Sequence, residues 1–161
     1  MNMNKPANLV ALLSTISVSE GTFGDGDNGY NVLAGGQLFN SYADHPRIVV
    51  DLRNKAGDVV VRTTAAGRYQ ILEGIYDAYK TRLGLTDFSP DAQDAIAIQL
   101  LKEVGAYAMI LAGNASGAIQ ACSGRWASCP NVSGASAFGQ PVQKLNTLIL
   151  AYQRFGGTVR A

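Results

Sequence analysis

A chain of 161 residues with 47% hydrophobic content is long enough to bury a sizeable core and too short for two independent ones, so one compact domain over residues 1–161 is expected. A net charge of +1, with no run of Lys or Arg, argues against nucleic acid or a strongly anionic surface as the main partner. No stretch is apolar for long enough to span a membrane, which argues against stable membrane insertion.

In chain order, residues 9–18 are apolar at helical spacing. Lys5 precedes them, as in a secretory leader, but it is a single charge and no small-x-small cleavage site follows, so the stretch is read as a first helix. Leu9, Leu13 and Ile16 form one stripe, and Glu20 falls on it four residues further on, just before a glycine-rich loop. A carboxyl there loses water, its pKa rises, and it can stay protonated near neutral pH to give a proton to a glycosidic oxygen. The alternative is a carboxylate that frays into solvent at a helix end.

Two β-branched runs follow, Ile48-Val49-Val50 and Val59-Val60-Val61, separated by the turn-rich Asn54-Lys55-Ala56-Gly57-Asp58. They read as a hairpin. Thr63 or Thr64 can then cap a helix with Tyr69, Leu72, Ile75, Tyr76, Tyr79 and Leu83 on its apolar faces and Gly84 as its stop. Ser89-Pro90-Asp91 opens another helix at its N-cap, N1 and N2 positions, ending at Gly105. A short helix around 107–111 stops at Gly113, Asn114 caps one reaching Cys122, and Pro141 begins a last helix that ends at Gly156-Gly157. The order predicts an α+β fold, mainly helical, with a small β element that can wall a cleft.

Chemistry-bearing residues are few. Cys122 and Cys129 would lie about 10 Å apart in one continuous helix, too far for a disulfide, although Pro130 implies that the helix has ended; free thiols are favoured in a reducing cytosol. These cysteines and the lone His45 give no metal constellation, and no metal or cofactor is expected. His45 reads as a loop hydrogen-bonding residue. Of the three Glu residues, Glu73 and Glu103 fall inside helices, where solvated faces or ion pairs are the ordinary roles, so Glu20 has no Glu competitor. Asp25 and Asp27 sit in turn sequences, and Asp44 is read as holding a loop.

Nine stretches carry a resemblance: Ser19-Glu20-Gly21-Thr22; Gly29-Tyr30-Asn31-Val32 with Gly35-Gly36; Tyr42-Ala43-Asp44-His45-Pro46-Arg47; Ala66-Gly67-Arg68-Tyr69-Gln70; Phe88-Ser89-Pro90; Gln93-Asp94-Ala95; Trp126-Ala127-Ser128; Phe138-Gly139-Gln140; and Gly156-Gly157-Thr158-Val159-Arg160. In this order they cover nearly the whole chain and resemble the lambda-type phage endolysins, lysozyme-like lytic transglycosylases of bacterial peptidoglycan. The resemblance implies a lysozyme-like fold with a saccharide cleft flanked by the hairpin, and Glu20 as catalytic acid. It also implies cleavage between N-acetylmuramic acid and N-acetylglucosamine without water, leaving a 1,6-anhydro ring on the muramic residue.

Such a reaction needs one carboxylate, which first protonates the leaving oxygen and then takes the proton of the C6 hydroxyl as it attacks C1. A hydrolase needs a second, as nucleophile or to activate water. Relatives can carry Asp where this chain has Asn31, which cannot ionise. Gln70 resembles a cleft-lining residue, with both a donor and an acceptor for sugar groups, whereas Tyr69 can be core or sugar platform. Tyr30, Phe138 and Gln140, in glycine-rich loops, are candidates for substrate contact, as is Asn31; Trp126 is read as core. The hairpin tip is longer than the family pattern, and Cys129 replaces an apolar residue beside a second loop. With the resemblance, residues 51–64 and 129–140 would be flexible lips over the substrate.

The resemblance further implies peptidoglycan glycan strands as partner, accumulation of a monomer in the bacterial cytoplasm, and action in the periplasm after release by a pore-forming holin. Two alternatives stay open: a hydrolytic muramidase using Glu20 with Asp27 or Asp44, and a non-catalytic glycan-binding protein.

Overall fold

The computed structural model describes residues 4–135 and 142–160. Among these the element order is α1 (Ala7–Ser19), β1 (Val50–Arg53), β2 (Val59–Thr63), α2 (Glu73–Leu83), α3 (Pro90–Glu103), α4 (Ala106–Leu111), α5 (Ala115–Cys122) and α6 (Leu145–Arg154). The chain divides into two compact units, one of Met1–Gly21 with Ala97–Ala161 and one of Thr22–Ile96.

The first unit is helical. α1 packs on α4 and α6, and α5 packs on both of those helices. Leu9, Ala11, Leu12, Leu13 and Ile16 of α1 are all buried, more of its circumference than one stripe. The polar residues on that buried surface keep their hydroxyls bonded to the backbone: Thr15 Oγ1 donates to the Ala11 carbonyl at 2.8 Å, and Ser17 Oγ to that of Ser14 at 2.6 Å. Asn114 caps α5 as its sequence predicts, accepting from the Gly117 amide at 2.9 Å. Trp126 is 4% exposed and belongs to the core. Pro141 lies outside the described residues, but residues 142–144 are not helical, so α6 opens later than expected. The Gln143 amide donates instead to the Ser128 carbonyl at 3.0 Å.

The second unit holds the hairpin, α2 and a glycine-rich loop. β1 and β2 pair antiparallel, Val50 with Thr63, Asp51 with Arg62, Leu52 with Val61 and Arg53 with Val59, so Val60 is an extra residue in a bulge. Asn54 closes the tip with its own side chain, its Oδ1 accepting from the amides of Ala56 and Asp58 at 3.0 Å each. The first strand begins at Val50 and not at Ile48, which is exposed beside it.

α2 begins at Glu73, nine residues later than the expected helix. Its N-cap position is Leu72, not Thr63 or Thr64, although the Thr64 Oγ1 accepts from the Glu73 amide at 3.1 Å across the intervening segment. Between the two, Gly67 and Gln70 take left-handed backbone angles (φ 80° and 51°), and the chain folds back so that Ala66 and Ile71 exchange hydrogen bonds of 3.1 and 2.8 Å. Tyr69 therefore lies on no helix. Gly84 stops α2 in the left-handed conformation, and Ser89 caps α3 through the Ala92 amide at 3.2 Å, both as the sequence predicts. An aromatic cluster of Phe39, His45, Tyr76 and Phe88 fills this unit, with the His45 and Phe88 ring centroids 4.9 Å apart.

Candidate active site

Glu20 is the C-cap of α1, held by its own amide to the Ile16 carbonyl at 2.8 Å. Gly21 follows with φ 75° and ends the helix, so the side chain leaves from a fixed backbone. The fraying alternative is therefore excluded. The carboxyl is half-buried, and loss of water pushes its pKa up from 4.5 to about 7, with the Ser128 hydroxyl pulling the other way. An acid with that proton affinity is matched to proton transfer near neutral pH.

Ser128 Oγ donates to Glu20 Oε1 at 2.8 Å, and Ser19 Oγ donates to Ser128 Oγ at 2.7 Å. Behind them Cys129 Sγ lies 3.7 Å from Ser19 Oγ. Both cysteines are buried free thiols. A turn brings them together: Trp126 N donates to the Cys122 carbonyl at 2.8 Å and Cys129 N to the Trp126 carbonyl at 3.0 Å. The thiols are hydrogen-bonded, which raises the pKa of Cys122, the donor, and lowers that of Cys129. Ser128 was visible in the sequence within Trp126-Ala127-Ser128, but its partner in α1 lies 108 residues away and nothing local assigns it a role.

The second unit gathers Tyr30, Asn31, Tyr69 and Gln70. Tyr69 is 1% exposed and donates to Asp94 Oδ1 at 2.6 Å, which makes it core and corrects its expected place as a substrate contact. Tyr30 stays half-buried, donates to the same oxygen at 2.9 Å, and has the Arg68 guanidinium 5.2 Å from its ring centroid. Burial first, and then the Asp94 charge, raise the pKa of both phenols. Gln70 Nε2 donates to the carbonyls of Gly67 at 2.9 Å and Val32 at 3.2 Å, so its donors hold the loop and its Oε1 is the group suited to a ligand. Asn31 Oδ1 accepts from the Asp27 amide at 2.7 Å, leaving Nδ2 as its donor.

With them lies a residue that sequence reasoning left without a role. Gln93 is completely buried; its Oε1 accepts from the Arg68 amide at 3.0 Å and its Nε2 donates to the carbonyls of Tyr30 and Phe88, each at 2.9 Å. Phe138 and Gln140, the other expected substrate contacts, lie outside the described residues.

Several other carboxylates have structural partners. Asp27 Oδ2 accepts from the Tyr42 hydroxyl at 2.7 Å. Asp44, with Glu73 and Asp77, surrounds the Arg47 guanidinium at 2.6–3.0 Å, and these hydrogen bonds hold the Asp44 pKa down to about 2. Glu103 pairs with Arg125 at 2.8 Å. His45 Nδ1 accepts from the Arg47 amide at 3.1 Å, so the ring donates from Nε2 to the Ile71 carbonyl at 2.8 Å, a loop-holding role as its sequence context predicts. Among the described residues no cluster of three His, Cys, Asp or Glu could hold a metal, and no helix is long and apolar enough to cross a membrane.

Comparison with known proteins places these residues in a wider context. The family profile described as Endolysin matches residues 10–159. The endolysin of Escherichia phage lambda is 44% identical over 154 residues, 93% of this chain and 92% of that protein. The endolysin of Escherichia phage P2 is 36% identical, covering 96% of each chain. Among solved structures, bacteriophage lambda lysozyme complexed with a chitohexasaccharide matches with a TM-score of 0.88 at 42% identity, over 98% of this chain and 99% of that one. A second structure of lysozyme from bacteriophage lambda matches with a TM-score of 0.86 at 40% identity and the same coverage.

Proposed function

The chain belongs to the endolysin family, with a lysozyme-like α+β fold, and from that premise we propose that it is a peptidoglycan lytic transglycosylase with Glu20 as its one catalytic carboxylate. It acts as a single catalytic domain over residues 1–161 on the β-1,4 bond between N-acetylmuramic acid and N-acetylglucosamine. The oligosaccharide carried by the related lambda lysozyme supports a glycan substrate of this kind. Protonated Glu20 gives its proton to the glycosidic oxygen; the resulting carboxylate then takes the proton of the C6 hydroxyl while that oxygen attacks C1. No water is consumed, and the enzyme ends as it began. The reaction moves only protons and the sugar's own oxygen, so it needs neither metal nor cofactor.

The observation that carries this reading is that Glu20 is the carboxyl raised to about 7, while Asp27 and Asp44 are tied to Tyr42 and Arg47. With Asp27 and Asp44 so occupied, the substrate's own hydroxyl is the favoured nucleophile, and its attack gains the advantage of an intramolecular reaction. Tyr30, Asn31 and Gln70, with Phe138 and Gln140, are assigned to substrate contact on the resemblance. The protein accumulates as a monomer in the host cytoplasm and reaches periplasmic peptidoglycan through a holin.

Digestion of purified cell walls in heavy-oxygen water, read by mass spectrometry of the released muropeptides, tests the reading. An unlabelled product one water lighter than the hydrolytic one is expected, and a reducing end carrying the heavy label would overturn it. Asp27→Asn and Asp44→Asn should each keep most of the activity per folded molecule. If either loses as much rate as a Glu20 variant while still folded, the two-carboxylate hydrolase is the better account.

A further inference from the structure

From the line of hydrogen bonds behind Glu20 we infer that Ser128, supported by Ser19, is a positioning residue that fixes which carboxyl oxygen carries the reactive proton. The inference rests on the assignment of Glu20 as the general acid and deepens it. It follows from the direction of each bond. Ser128 gives its hydrogen to Glu20 Oε1 at 2.8 Å, so when Glu20 is protonated Oε1 is an acceptor and the acidic hydrogen sits on Oε2. Among the described residues Oε2 has no hydrogen-bond partner, which leaves it as the oxygen able to give its hydrogen to the glycosidic bond.

Ser128 Oγ in turn accepts from Ser19 at 2.7 Å, which leaves its own hydrogen for Glu20. The Cys129 thiol lies behind this pair, 3.7 Å from Ser19 Oγ. The two hydroxyl hydrogens thus point one way, from Ser19 through Ser128 to Glu20. Such a directed chain polarises its members and is worth most when its terminal acceptor becomes negative, as Glu20 does once it has protonated the leaving oxygen. It therefore favours the charged state formed in the first half of the reaction and presents the same oxygen for the return of the proton in the second half. A lone donor on Oε1 is enough for this, whereas two donors would hold the carboxylate charged and leave no acid.

The influences on the Glu20 proton are burial and the Ser128 hydroxyl, and the titratable neighbour is Cys129, whose thiol feels the Glu20 charge and is hydrogen-bonded to Cys122. Removing the Ser128 hydroxyl leaves burial unopposed. In Ser128→Ala the alkaline limb of the pH–rate profile should move up by about one pH unit, because the carboxylate has lost its donor. At the pH optimum, kcat on soluble glycan strands should fall roughly tenfold with KM nearly unchanged, as expected for a charge-assisted hydrogen bond that counts in the transition state. Ser128→Thr, which keeps the hydroxyl, should restore both.

The decisive measurement is independent of turnover: carbon NMR titration of the Glu20 carboxyl in the full-length protein and in Ser128→Ala, with Ser19→Ala as a second, smaller perturbation in the same direction should the first variant not fold. An upward shift of the Glu20 titration supports the assignment even if the sugar product proves to be hydrolytic. An unchanged titration and pH profile in a folded Ser128→Ala protein overturns it, whatever becomes of kcat.

Discussion

Glu20→Gln is expected to lower cell-wall cleavage by about a hundredfold or more, because the amide matches the carboxyl in size and cannot donate its proton. The same change should make the fold more stable at alkaline pH. Glu20 has its pKa raised in the folded protein from 4.5 to about 7, so the folded state binds more protons than the unfolded chain between those values. The stabilisation that protonated Glu20 provides is present below pH 4.5 and is lost as pH rises through about 7. Above that, wild-type protein keeps a partly desolvated charge that Gln does not carry, a difference on the order of 2–3 kcal/mol. Relative to wild type, the variant should gain roughly 5–10 °C in melting temperature at pH 8 and little at pH 4. Loss of activity without this pH-dependent gain would separate a catalytic role from a buried acid; retained activity in the folded variant would remove Glu20 from the mechanism.

The second large effect concerns Gly67→Ala, which should cost about 3 kcal/mol or more by joining left-handed strain to overpacking. At φ 80° the added methyl would overlap the carboxamide of Gln93, which cannot retreat: it is completely buried and bonded to the Arg68 amide and to the carbonyls of Tyr30 and Phe88. Gly36→Ala is the matched control, because Gly36 has φ 95° and open space around its missing side chain. Urea unfolding should therefore show Gly67→Ala well below Gly36→Ala in stability. Equal losses would mean that strain alone matters and that Gln93 is not the keystone of the loop.

Much of the fold can be read locally because its boundaries are set by short-range chemistry. Asn114, Ser89 and Gly84 end or begin helices through bonds to amides and carbonyls a few residues away, and the turn of Asn54 is made by its own side chain. Where a boundary depends on a distant partner, the reading fails. Tyr69 carries helical spacing with Tyr76 and Tyr79, yet its hydroxyl is claimed by Asp94, 25 residues away, and the left-handed Gly67 and Gln70 break the helix around it. Thr64 is not the N-cap its position suggests; Leu72 holds that place, and Thr64 only reaches the Glu73 amide across a folded-back segment. The position of the Glu20 carboxyl, at the helix end and withdrawn from water, is legible from its stripe and the glycine after it. Its serine partners are not, since Ser19 and Ser128 meet across 109 residues and no periodicity links them.

The bulge at Val60 bears on how the hairpin keeps its register. In a regular hairpin the addition of one residue turns every later side chain to the opposite face of the strand. Here Leu52 still opposes Val61 and Arg53 opposes Val59, with the surplus residue set outside the ladder, while Asn54 closes the tip independently. Val60 therefore takes up the change of register by itself, so that the outer Arg53–Val59 pair and the inner pairs of Asp51 with Arg62 and Val50 with Thr63 are held on either side of a single local step.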